Sequence, residues 1–154
     1  MALKEKTQAP NFTLPSTDGR DFTLHQDAKG KAVILYFYPK DFTSGCTQQA
    51  CEFRDHFDFF RDLDIPVYGI SRDSVETHQR FRKEHNLPFH LLADEDGNVA
   101  GLYKATVPLI NFTRRITYLL DSNHTIVSSF EKLFGAKKHI EEMVNQLIEN
   151  NMAG

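Results

Sequence analysis

The sequence lacks the features that would place the protein in a membrane or on nucleic acid. Its 154 residues contain no apolar run of about 20 residues, which is the length that a membrane-spanning helix requires. The opening segment, MALKEKTQAP, has no apolar core of the kind found in secretory signals, so we expect a cytoplasmic location. A net charge of −3 at pH 7 gives no general attraction to nucleic acid or anionic lipid.

Motifs for metal ions and nucleotides are missing as well. The seven histidines form no H-E-x-x-H pattern, and the glycines form neither G-x-G-x-x-G nor a phosphate-binding P-loop pattern. Cysteine is scarce, and two cysteines five residues apart do not make a zinc site. We therefore predict neither a metal ion nor an organic cofactor.

What is present is the composition of an ordinary globular chain, with 40% hydrophobic and 25% charged residues. Alternating strand and helix patterns predict one α/β domain over residues 1–154, with a mixed central sheet flanked by helices. Asp73 and Glu76 resemble a capping box that opens one of these helices. The predicted elements are a hairpin in 12–24, strands at 32–38, 66–71 and 89–93, helices at 46–63, 73–86 and 98–103, a hairpin in 116–130 and a terminal helix around 140–148.

Both cysteines lie in the segment YFYPKDFTSGCTQQACEFRD, residues 36–55. The pattern after Cys46 predicts a helix with one apolar face, made of Ala50, Phe53, Phe57 and Phe60. Cys46 should lie in the first turn, where free N–H groups and the helix dipole favour an anion such as a thiolate. Because the dipole contributes only about 0.3–1 kcal/mol, we also expect the Thr43 hydroxyl and a cation from elsewhere in the chain near the sulfur. The alternative is a buried, unreactive Cys46.

The spacing of Cys46 and Cys51 is unfavourable for a structural disulfide. On a regular helix their Cα atoms would be about 8.5 Å apart on different sides of the helix. A disulfide requires Cα atoms within roughly 7 Å. The two cysteines can therefore bond only if the first turns of the helix unwind, which suggests a switch. The alternative is that Cys51 fills the core.

The same segment carries a family resemblance. Pro39, Thr43 and Cys46 match the P-x3-T-x2-C motif of peroxiredoxins, and the wider YFYPK and GCTQQACEFRD resemble the peroxiredoxin Q subfamily, also called bacterioferritin comigratory proteins. The segments PNFTLPSTDG, VYGIS and RITYLL extend the resemblance along most of the chain. Ser44 is a departure, because relatives often carry proline there.

The resemblance implies a thioredoxin-like fold and a thiol peroxidase that reduces hydrogen peroxide and organic hydroperoxides without metal or organic cofactor. Cys46 would be the peroxidatic cysteine and Cys51 the resolving cysteine. Thr43 would hydrogen-bond the peroxide, and Pro39 would shield and shape the pocket. The cation would be Arg115, directly before the ITYLL segment.

The resemblance also implies partners and an assembly state. A sulfenic acid on Cys46 would form an intramolecular disulfide with Cys51, and thioredoxin or glutaredoxin would reduce it. The protein would be a monomer. Two alternatives stay open, namely a one-cysteine mechanism with an external resolving thiol and a non-enzymatic binding or chaperone protein on a thioredoxin-like scaffold.

Overall fold

The computed structural model describes residues 2–131 and, nearer the C-terminus, residues 142, 145, 146 and 149. Strands β1 (Thr13–Pro15) and β2 (Asp21–Thr23) form an antiparallel hairpin. The central sheet contains β3 (Val33–Phe37), β4 (Val67–Ser71), β5 (His90–Ala93), β6 (Ile116–Leu120) and β7 (Ile126–Phe130). Its spatial order is β5-β4-β3-β6-β7.

Parallel and antiparallel pairs both occur in the central sheet. β3 is parallel to β4 and β4 to β5, whereas β6 is antiparallel to both β3 and β7. The helices are α1 (Leu24–Asp27), α2 (Ser44–Asp55), α3 (Phe57–Asp62), α4 (Val75–Glu84) and α5 (Asn98–Leu102). Parallel neighbours need crossover connections, which α2 and α3 provide between β3 and β4 and α4 provides between β4 and β5. The predicted α/β architecture with a mixed sheet and an N-terminal hairpin is therefore confirmed.

Strand β3 separates two hydrophobic cores, because its side chains alternate between the two faces of the sheet. The first, here called the hairpin-side core, contains Val33, Leu35, Phe37, Phe12, Phe22, Tyr103 and Tyr118 among its members. The second, here called the helix-side core, contains Ile34, Tyr36, Tyr38, Cys46, Phe53, Phe60 and Phe81 among its members. Every residue of β3 is buried, as its unbroken apolar sequence predicts.

The single helix predicted for residues 46–63 is wrong in its extent. The helix begins earlier, at Ser44, and it ends at Asp55, so that α3 is a separate helix. The break lies at His56, whose backbone N–H and ring Nδ1 both bond to the carbonyl of Glu52, at 3.2 and 2.9 Å. The apolar stripe runs through the break because Phe53 and Phe60 are buried on both sides of it.

The predicted capping box of Asp73 and Glu76 is wrong, because the helix is capped one residue later. The N-cap of α4 is Ser74, whose hydroxyl accepts a hydrogen bond from the Thr77 backbone N–H. Asp73 instead accepts bonds from the Asp41 backbone N–H and the Ser71 hydroxyl. Because the Asp73 carboxylate accepts these two hydrogen bonds, Ser74 caps α4 instead.

Two further elements complete the comparison with the predictions. The short helix α1, which follows the hairpin directly, was not predicted. The five apolar residues from which a terminal amphipathic helix is predicted lie outside the described residues, namely Ile140, Met143, Val144, Leu147 and Ile148. Among the residues that the structure does describe, no helix combines the length and apolar character needed to cross a bilayer.

Candidate active site

The topology of the sheet brings the predicted site residues to one edge. The chain leaves β3 at its carboxyl end and passes through residues 38–43 into α2. Strand β6 is antiparallel to β3, and Phe37 pairs with Ile116. Arg115, the residue before β6, therefore lies at the same edge as the start of α2, although the two are far apart in sequence.

Cys46 occupies the position that the sequence predicts. It is the third residue of α2, its side chain is 2% exposed, and it is a free thiol. Arg115 Nη2 donates to Cys46 Sγ at 3.2 Å. A guanidinium at this distance and the positive end of α2 both stabilise negative charge on the sulfur. The sequence analysis predicts a cation next to this sulfur, and in the structure that cation is Arg115.

The neighbouring Arg114 does not reach the thiol. Its guanidinium donates to Glu131 Oε1 at 2.7 Å and to the carbonyl of Lys104 at 3.0 Å. These contacts engage the Arg114 guanidinium, and no described hydrogen bond joins it to Cys46. The cation beside the thiol is therefore Arg115 and not its neighbour.

Gln49 is a residue of this site that the sequence analysis missed. Its side chain is buried, and its Oε1 accepts a hydrogen bond of 2.6 Å from Arg115 Nη1. Its Nε2 lies 3.5 Å from Thr117 Oγ1, at the limit of a hydrogen bond. Gln49 therefore binds one terminal nitrogen of the Arg115 guanidinium and so keeps the other one, Nη2, in contact with the Cys46 sulfur. The signal was available, because Gln49 follows Cys46 by three positions and so shares its helix face.

Thr43 and Pro39 lie on the loop before α2. Thr43 is the exposed N-cap residue, and its hydroxyl donates to the carbonyl of Lys40 at 2.8 Å. Since a hydroxyl has one hydrogen, it does not donate to Cys46 Sγ in this conformation, in contrast to the expectation from the sequence. Its lone pairs stay available to accept a hydrogen bond. Pro39 is half-buried at the start of the loop.

Cys51 lies farther along α2 and is half-buried. It too is a free thiol, and α2 is continuous from Ser44 to Asp55. The helix that separates the two cysteines is therefore intact in this conformation. A disulfide between them requires a change in α2.

Tyr36 forms part of the apolar floor beneath α2. Its ring stacks on Phe53 and on Tyr38, with centroids 4.7 and 5.3 Å away. Burial raises the pKa of Tyr36 well above 10.0, and the acidic groups of Asp41 and Cys46 raise it further. Tyr36 is consequently neutral at physiological pH and adds no charge near the Cys46 thiol.

Comparison with known proteins agrees with this site. The sequence profile of the AhpC/TSA family matches residues 6–129. A putative peroxiredoxin bcp from Coxiella burnetii is 41% identical over 153 residues, covering 96% of this chain and 100% of the relative. The chloroplastic peroxiredoxin Q of Oryza sativa subsp. japonica is 41% identical over 146 residues, covering 94% of this chain and 67% of the relative.

Solved structures show the same relationship. The crystal structure of peroxidoxin BcpB from Mycobacterium tuberculosis is similar with a TM-score of 0.87 and 27% identity, covering 96% of this chain and 97% of that one. The resemblance read from the P-x3-T-x2-C motif is therefore confirmed. The chain belongs to the AhpC/TSA family and is a peroxiredoxin of the Bcp and peroxiredoxin Q type, a thiol peroxidase with a thioredoxin-like fold.

Proposed function

We propose that Cys46 is the peroxidatic cysteine and Cys51 the resolving cysteine in a cycle that reduces hydrogen peroxide and organic hydroperoxides. The observation that carries the proposal is the 3.2 Å contact of Arg115 Nη2 with Cys46 Sγ in the first turn of α2. A thiol next to a fixed cation and a helix N-terminus is in the environment of a reactive cysteine. Cys51 has no such cation beside its sulfur among the described contacts.

In the peroxide step, the Cys46 thiolate attacks one oxygen of the peroxide. A sulfur–oxygen bond forms, the oxygen–oxygen bond breaks, and the leaving oxygen takes a proton to become water or an alcohol. The sulfur is oxidised to a sulfenic acid. Arg115 and the first N–H groups of α2 stabilise the charge that develops on both oxygens, and Thr43 positions the peroxide. Pro39 shields the pocket from water.

In the resolving step, the Cys51 thiol attacks the Cys46 sulfenic acid. The disulfide forms, and the hydroxyl of the sulfenic acid leaves as water. Because an intact helix keeps the two Cα atoms about 8.5 Å apart, α2 must unwind first. The break at His56 favours this step, because α2 can unwind without carrying α3 along.

A dithiol protein then returns the disulfide to two thiols by exchange. We assign this role to thioredoxin or glutaredoxin. We further propose that residues 1–154 act as one domain and as a monomer in the cytoplasm. The relatives include a bacterial and a chloroplast protein, so localisation of the native protein is the direct test of the compartment.

The experiment adds one equivalent of hydrogen peroxide to the reduced protein and follows free thiols and intact mass over time. We expect rapid loss of both thiols and a mass lower by their two hydrogens. Cys46→Ser should leave Cys51 unreacted, and Cys51→Ser should lose one thiol and gain one oxygen.

The contrary outcomes are equally clear. Thiol loss at the rate of free cysteine would refute the assignment of Cys46. Full turnover of Cys51→Ser with thioredoxin would instead favour the one-cysteine mechanism with an external thiol.

A further inference from the structure

A buried pair of an aspartate and a histidine connects the loop that leads to Cys46 with helix α4. Asp41, on that loop, and His78, in the middle of α4, have side chains that are 0% exposed. His78 Nδ1 and Asp41 Oδ2 are 2.6 Å apart. Neither residue belongs to the P-x3-T-x2-C motif, and neither contacts Cys46, Gln49 or Arg115 through a described hydrogen bond. The mechanism above does not explain why the pair is there.

Every polar atom of the two side chains has a hydrogen-bond partner. His78 Nε2 lies 3.0 Å from the carbonyl of Leu92, which can only accept, so Nε2 carries a hydrogen. Asp41 Oδ1 accepts the hydroxyl hydrogen of Tyr38 at 2.5 Å. Nδ1 faces the other carboxylate oxygen, Oδ2, so the two side chains share one hydrogen bond and each of them has a second partner.

Asp41 is also held through its backbone. Its N–H donates to Asp73 Oδ2 at 2.9 Å, and the Ser71 hydroxyl donates to the same oxygen at 2.5 Å. Tyr38, Ser71, Asp73, His78 and Leu92 belong to or border β3, β4, α4 and β5. Hydrogen bonds that start from Asp41 therefore connect the loop, directly or through His78 and Asp73, to four elements of the fold.

The position of Asp41 determines the position of the groups that face the thiol. Thr43, two residues later, is the N-cap of α2, and its carbonyl accepts the first helical bond from Thr47 at 2.9 Å. Between them Phe42 adopts a left-handed φ of 67° and packs its ring edge against Phe81 of α4, with centroids 5.1 Å apart. A displacement of Asp41 would move the N-cap, the Thr43 hydroxyl and the first N–H groups of α2.

We propose that the buried Asp41–His78 pair is a positioning device for the peroxide step, which fixes the loop so that Thr43 and the helix N–H groups meet the peroxide at Cys46. Asp41 and His78 are positioning residues, since they act through the loop. The proposal rests on the assignment of Cys46 as the reacting thiol. A displacement of about 1 Å in such a site costs on the order of 10²-fold in rate.

A metal ion is the rival explanation for the same cluster. Ligand atoms of Asp41, Asp73 and His78 lie within 4.8 Å of one another. The hydrogen bonds above already use these atoms, however, so a metal ion would have to displace them. Metal analysis of the native protein is therefore part of the test, and a stoichiometric ion whose removal abolishes peroxide reduction would overturn the proposal.

The main experiment compares His78→Asn with His124→Asn, both in the Cys51→Ser background so that Cys46 is the only thiol. His124 is a matched control, because it is a buried histidine whose Nε2 donates to a carbonyl, that of Ala28, at 2.8 Å. It has a left-handed φ of 60°, which asparagine tolerates. Each folded variant is assayed for the rate of Cys46 oxidation by peroxide and for the rate of Cys46 alkylation by iodoacetamide.

We expect His78→Asn to slow oxidation by about 10²-fold and to slow alkylation much less, because alkylation needs the thiolate, which Arg115 still contacts, but not the peroxide geometry. His124→Asn should change neither rate. Wild-type oxidation in folded His78→Asn, or an equal change in both rates, would overturn the proposal. If Cys46→Ser kept the peroxidase activity, the assignment of the thiol would fail instead, so the two failures are distinguishable.

A second measurement does not depend on a variant that folds. In nitrogen-15-labelled wild-type protein, the hydrogen on His78 Nε2 should be visible and should exchange slowly with water, because it is buried and bonded to the carbonyl of Leu92. A His78 Nε2 without this hydrogen, or with rapid exchange, would contradict the fixed pair and remove the basis of the proposal.

Discussion

On the hairpin side of the central sheet, Tyr103 donates its hydroxyl to the carbonyl of Pro10 and Tyr118 donates its hydroxyl to the carbonyl of Tyr103. On the helix side, the hydroxyl of Tyr36 is buried with no hydrogen-bond partner among the described residues. The same holds for Oε2 of Glu52, which is on α2 itself. A buried polar group without a partner costs about 1–3 kcal/mol relative to one that is hydrated.

The unpaired groups lie on the side of the sheet where α2 has to unwind in the proposed cycle. Unwinding of α2 would expose Glu52 and uncover Tyr36, so both groups would regain hydrogen bonds to water. The hairpin-side core would gain nothing comparable by opening. The unpaired groups therefore lower the free energy needed to open the side of the molecule that has to open.

The largest effect on the rate of the peroxide step is expected from replacing Arg115, the charged side chain that contacts Cys46. Arg115→Lys should slow the peroxide step by about 10²–10³-fold, because a lysine cannot contact Gln49 and Cys46 with two fixed nitrogens at once. Arg114→Lys, the matched control, should leave the rate near that of wild type. Rapid-mixing measurements of thiol oxidation would decide, and equal rates in the two variants would remove Arg115 from the mechanism.

The second test compares packing on the two sides of the sheet. A Cβ at Gly69 would lie 2.6 Å from Tyr36 Cζ and 2.8 Å from Leu91 Cδ2, whereas a Cβ at Gly101 in α5 meets nothing within 4 Å. Gly69→Ala should therefore lower the free energy of unfolding by about 1–3 kcal/mol. Gly101→Ala should raise it by up to about 1 kcal/mol. Urea unfolding measures both, and a stable Gly69→Ala would show that the Tyr36 ring is free to move.

Tyrosine-to-phenylalanine substitutions test the hydroxyl groups directly. Tyr118→Phe removes a donor to the Tyr103 carbonyl and an acceptor for the Leu3 N–H, so it should lower the free energy of unfolding by about 1–2 kcal/mol. Tyr36→Phe removes an unpaired hydroxyl and should leave stability unchanged or raised. If Tyr36→Phe were the more damaging of the two, the contrast between the two cores would be wrong.

The smallest expected effect is a dependence of stability on pH at His90. Burial, and secondarily Arg82, lowers the pKa of His90 below 6.5, and Thr17 Oγ1 lies 2.9 Å from its Nδ1. The unfolded chain thus takes up a proton first as the pH falls. The stabilisation is present above pH 6.5 and is lost as the pH falls toward the lower folded pKa. Thermal unfolding between these limits should show the slope, and His90→Asn should lack it.

The sequence predicted the fold and the thiol because both depend on local patterns. The apolar run of β3, the turn-rich loop and the stripe after Cys46 are each contained within a few residues. The exact helix limits were missed, because the apolar stripe continues through the break at His56 and so gives no sign of it. The contact of Arg115 with Gln49 spans 66 positions and that of His78 with Asp41 spans 37, so no local pattern could pair them.

The break at His56 also determines how many residues can unwind in the proposed switch. Helix α2 contains 12 residues. As a helix it is about 18 Å long, but fully extended it would reach about 40 Å. With one end held at Asp41 and the other at the start of α3, the freed segment would form a slack loop. That loop could bring the Cys46–Cys51 disulfide away from the sheet and toward a partner dithiol while both attachment points stay in place.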